Sequence, residues 1–120
     1  MPKYKANIIL ENDNWLIVQP LSHSASAFYA KDTYWAIGPI AKGGSLQVYF
    51  KAYTAKGPIF IVMNKNESED SEVKRMGFHF ETATFVNVLN TNFNPKEYFD
   101  KHPEVFIAIE SHMSEEGKKF

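Results

Sequence analysis

The chain has 120 residues, of which 44% are hydrophobic and 22% charged, with a formal net charge of -1; residues 1–120 therefore read as one globular domain. That balance excludes a disordered or tail-like chain, and near-neutrality argues against a dedicated nucleic-acid binder, whose affinity rests on clustered cations. With no cysteine, disulfides, thiolate metal sites and a cysteine nucleophile are all excluded.

Residues 6–10 and 15–18 form two apolar runs joined by a polar stretch, Glu11 to Asn14, which predicts a hairpin. Pro20 should end the second strand, because it cannot donate to a ladder. Residues 21–31 predict a short helix capped by Ser22 and favoured by Ala25, Ala27 and Ala30. A strand is expected over 32–37, closed by Gly38 and Pro39. Ser45 opens the clearest helix, with Leu46, Tyr49, Phe50 and Tyr53 on one face and Gly57-Pro58 as its stop. A buried strand over 59–63, a polar acidic loop over 64–71 and strands near 73–80 and 84–89 come next. His79, between Phe78 and Phe80, is expected on the opposite and exposed strand face. Asn94, Pro95 and Glu97 are a cap, a first-turn proline and a third-position acid, so a helix begins there. Pro103 restarts it, Val105, Phe106, Ile109 and Met113 form its apolar stripe, and residues 115–120 should fray. The order predicts an α+β fold, an antiparallel-rich sheet with two to four helices packed on it.

Residues 20–36 carry an ordered set of small, polar and aromatic positions: Pro20, Ser22, His23, Ala25, Ser26, Tyr29, Thr33 and Trp35. This pattern resembles the signature of a family of small, mostly uncharacterised proteins from tailed bacteriophages. Tyr49, Phe50 and Tyr53, and the stretch from Gly57 to Lys65, resemble that family's aromatic helix and following strand. Ala30 stands where the family has glycine and Ala36 where it has cysteine. If that cysteine serves relatives as a nucleophile, this chain lacks it; if it only fills space, Ala36 packs in its place. The resemblance implies a phage origin, hence host cytoplasm, and a site; it implies no reaction.

His23, Ser26, Tyr29, Thr33 and Trp35 could line a pocket in which an aromatic ring stacks a base and hydroxyls and imidazole meet polar atoms. The plainer alternative makes Trp35 core and His23 and Ser26 backbone-satisfying groups. Lys42, Gly43, Gly44 and Ser45 precede a helix start, where free N–H groups favour an anion, with Lys31 as a second cation. They do not spell a P-loop, and a flexible loop with a serine cap is the alternative. A hydrolase has little support, for no nucleophile elbow exists and no acid is placed to orient His23. The four histidines lack metal-ligand spacing, and the acidic run Glu67 to Glu72 lacks a calcium loop's order.

The expected function is that of a phage accessory protein binding a small phosphorylated or nucleotide-like ligand and sequestering a host defence signal. Two alternatives stay open: a nucleotide- or NAD-processing enzyme using His23, and a protein inhibitor of a host enzyme with exposed aromatics as anchors. No cofactor and no metal are expected. Apolar runs too short for a bilayer and a plain N-terminus lead to a soluble cytoplasmic protein; a homo-oligomer is left open.

Overall fold

A computed structural model describes residues 5–30, 33 and 46–119, with the side chains of 46–49 outside the description. Asn12 shapes the first turn: its Oδ1 accepts from the backbone N–H of Asn14 at 2.9 Å and of Trp15 at 2.8 Å. This joins β1 (Ala6–Glu11) to β2 (Trp15–Pro20), so the expected hairpin is present and Pro20 is its last residue. Pairing passes from Ile8↔Val18 to Leu10↔Ile17, which leaves Ile9 as the extra residue of a bulge on the edge strand. The sheet continues with β3 (Phe60–Asn64), β4 (Arg75–His79) and β5 (Thr84–Val86). Every neighbouring pair is antiparallel, and the spatial order follows the chain.

Among the described residues four helices accompany the sheet in an α+β fold: α1 (His23–Tyr29), α2 (Leu46–Lys56), α3 (Pro95–Lys101) and α4 (Pro103–Glu110). Ser22 Oγ accepts from Ala25 N at 3.1 Å and starts α1. Asn94 Oδ1 accepts from Lys96 N and Glu97 N, with Pro95 in the first turn of α3. Pro103 occupies the same place in α4. No described helix is long and apolar enough to cross a membrane. The strand expected over 32–37 falls outside the described residues apart from Thr33, which is not in a strand.

Strand periodicity sorts the side chains onto two faces. One carries Trp15, Ile17, Phe60, Val62, Met76, Phe78 and Phe85, packed against Val105 and Ile109 of α4 and the rings of α3. The other carries Val18, Ile61 and Val86, covered by Ala30 at the end of α1 and Phe50 on α2. The aromatic excess goes largely into the first layer: Phe78 meets the rings of Phe80, Phe85, Phe93, Tyr98 and Phe99 with centroids 5.3–6.2 Å apart.

Helices on both faces correct one expectation. His79 does lie opposite Phe78, yet that face is covered by α2 and the residue is only 3% exposed. The tail differs as well. Residues 117–119 form a 3-10 turn, Gly117 is buried, and its N–H donates to Ser114 Oγ at 3.0 Å, where fraying was expected.

Candidate functional site

The motif helix divides its residues between structure and surface. His23 is half-buried; its Nε2 is enclosed with no hydrogen-bond partner, and its ring stands 6.4 Å from Phe50. Ser26 is fully buried beneath the helix. Thr33 Oγ1 donates to Ala30 O at 2.6 Å and its N–H to the same oxygen at 3.2 Å, so Thr33 closes the end of α1. Tyr29 sits half-buried at the last turn, on the wall of a cavity. Trp35, Ala36, Lys42, Gly43, Gly44 and Ser45 lie outside the described residues.

Among the described residues, two hollows border this helix layer. The larger, about 440 Å³, opens where β2 and β4 finish and β3 begins. Pro20 and Leu21, the first residues of the motif region, form one side; Phe50, Thr54 and Gly57 of the α2 segment form another, and Ser114 closes the third. Its size falls within the ~300–1,000 Å³ of small-ligand pockets. The smaller, about 160 Å³, lies between α1 and the opposite end of the sheet. Phe28 and Tyr29 cover it, Leu16, Val18, Ile61 and Met63 floor it, and Arg75 closes it.

Beneath the larger cleft runs a buried polar network. His79 Nε2 faces two carbonyls, Tyr53 O at 2.8 Å and Gly57 O at 3.2 Å; because carbonyls only accept, that nitrogen carries the proton. Nδ1 meets Thr82 Oγ1 at 2.7 Å, and Thr82 meets Thr84 at 2.8 Å. The Glu81 side chain is 4% exposed, its Oε2 accepts from Ser114 Oγ, and its Oε1 lies 3.8 Å from His79 Nε2 without a hydrogen bond. A Cβ on Gly57 would overlap that carboxylate, and one on Gly117 would stand 3.0 Å from Oε2. Two glycines thus clasp one acid, which ties the C-terminal segment to the end of α2. Ser114 donates to a carboxylate rather than to a histidine, so this is no Ser–His pair.

On the other face, Tyr98 has a buried hydroxyl with no partner. Burial first, and then the Glu104 and Glu67 carboxylates, push its phenol far above the ordinary tyrosine range. Among the described residues no group of three or more histidines and acids could hold a metal ion.

Arg75, Glu81 and Ser114 were not among the residues singled out from sequence. Arg75 had one legible signal: it is the single arginine of a chain with thirteen basic residues. Glu81 and Ser114 are 33 positions apart and had none. The architecture is α+β, a five-stranded antiparallel meander between two helical layers. Comparison with protein-family models, curated proteins and solved structures finds no match.

Proposed function

We propose that the protein binds a small phosphorylated or nucleotide-like ligand and acts by holding it. The observation that supports this reading is the cleft of about 440 Å³ between the end of β2 and the α2 segment, which no residue of α1 lines. Phe50 offers an aromatic wall, Gln19 offers its amide N–H donors and Thr54, whose hydroxyl donates to Phe50 O, offers an acceptor, and Pro20 and Leu21 offer apolar contact. Holding is favoured over turnover because Ser114, the hydroxyl nearest a buried acid, is engaged at both ends, donating to Glu81 and accepting from Gly117 N–H. For a chain that resembles phage proteins, holding a host signalling nucleotide would lower its free concentration without any chemistry. Lys42 to Ser45 would supply phosphate contacts in this reading.

Calorimetry against linear, cyclic and ADP-ribose-type nucleotides tests it. Saturable heat for one class, weakened by salt and by Lys42→Ala, is the expected result. Absence of heat across the panel at high micromolar ligand overturns it and favours the protein-inhibitor reading.

A further inference from the structure

We propose that the cavity between α1 and the sheet is an oxyanion site, with Arg75 as its anchor and the phosphoryl group of a phosphomonoester as its ligand. The site is distinct from the cleft above: Arg75 opens β4, whereas the cleft lies where β4 finishes.

The argument begins with the state of the guanidinium. Arg75 is 4% exposed, and the fork presents five N–H donors. No hydrogen bond from it to any described residue exists. Among the described residues its nearest anion is Glu69 Oε2, 3.9 Å from Nη1, on a side chain that is 72% exposed. The preceding residue shows what a satisfied buried cation looks like here. Lys74 Nζ donates to Glu67 O at 2.7 Å and has Glu69 at 3.7 Å. Arg75, by contrast, has among the described residues only the long contact to Glu69, and none of its nitrogens is both shut from solvent and unpartnered, so its fork keeps donors open to a ligand in the cavity.

The cavity fits such a partner. Leu16, Val18, Ile61 and Met63 line the cavity together with Arg75 and make its floor apolar, where a charge pair is stronger than in water. A volume of about 160 Å³ is roughly five times the ~30 Å³ share of one water and smaller than a whole-ligand pocket. It takes a charged group and leaves the remainder of the ligand outside. Phe28 and Tyr29 meet edge to face at 5.0 Å on the cover of the cavity. The planar fork of arginine matches two oxygens of a phosphoryl group at once, which a lysine cannot do. This is also the only arginine the sequence contains.

That uniqueness makes the test direct, because the wild-type protein has a single arginine Nε–H resonance to follow. Inorganic phosphate and adenosine monophosphate should each shift it saturably, the nucleotide at lower concentration, while adenosine leaves it unmoved. Arg75→Lys, which keeps the charge and removes the fork, should weaken phosphate binding about tenfold or more. An unmoved resonance in millimolar phosphate and nucleotide overturns the proposal, whether or not a variant folds. So does unchanged affinity in Arg75→Lys, or acetate binding as tightly as phosphate. Heat from a nucleotide with the Arg75 resonance unmoved would sink this site and leave the cleft reading standing. A saturable Arg75 shift in phosphate and nucleotide, with nucleotide heat unchanged in Lys42→Ala, would do the reverse.

Discussion

Gly57 is a glycine for one reason, and Gly57→Ala isolates it. Its backbone does not occupy the left-handed region, so alanine meets no conformational penalty there. The obstacle is the Glu81 carboxylate, which lies where the new methyl group would go. A glutamate end is ordinarily free to swing aside, but this one is 4% exposed, faces Gly117 on its other side and accepts from Ser114. Displacing it forfeits a charge-assisted hydrogen bond, about 1.5–3 kcal/mol, and adds overpacking of about 1–3 kcal/mol. The lower entropy of unfolded alanine returns about 0.4–1 kcal/mol. The net loss is about 2–5 kcal/mol, a fall of roughly 10–20 °C in the midpoint for a chain of this size. Thermal unfolding by circular dichroism measures it, and a double-mutant cycle identifies the cause. In a Glu81→Ala background the same glycine change should be nearly neutral. A midpoint within two or so degrees of wild type for the single change, or equal losses in both backgrounds, would refute the clasp.

Phe50, 6% exposed and packed among Val18, Ile59, Ile61 and Val86, should cost about 3–5 kcal/mol on Phe50→Ala, seen as a large fall in the urea midpoint. Asn94→Ala removes the acceptor for two first-turn N–H groups of α3 and should cost about 1 kcal/mol by the same measurement. Tyr98 supplies a pH dependence: its folded phenol is held above the unfolded value of about 10, so the unfolded state loses its proton first and stability falls as pH rises past that value. Tyr98→Phe removes a hydroxyl that has no partner, so it should leave neutral-pH stability unchanged or higher and reduce the alkaline fall in urea titrations.

Local chemistry was readable along the chain. Asn12, Ser22 and Asn94 act through bonds to residues a few positions away, and Pro95 and Pro103 through a fixed φ in a first turn that needs no N–H, so the hairpin and three helix starts follow from sequence. Alternation likewise separated Phe78 from His79. What alternation lacks is knowledge of the layer above each face. His79 is buried because α2 covers a face that a two-layer sheet would leave in water, and Tyr53 and Gly57 bring their carbonyls to it from more than twenty positions away. The candidate site follows the same division. The sequence marked the helix carrying His23, Ser26 and Tyr29, and the bond of Thr33 to Ala30 O closes that helix locally; tertiary packing turned Ser26 inward and placed Tyr29 over the cavity of Arg75. The join of Glu81 to Ser114 and two glycines also belongs to the fold alone. Capping and periodicity are properties of neighbours in the chain, whereas desolvation of a charge depends on which distant elements close around it.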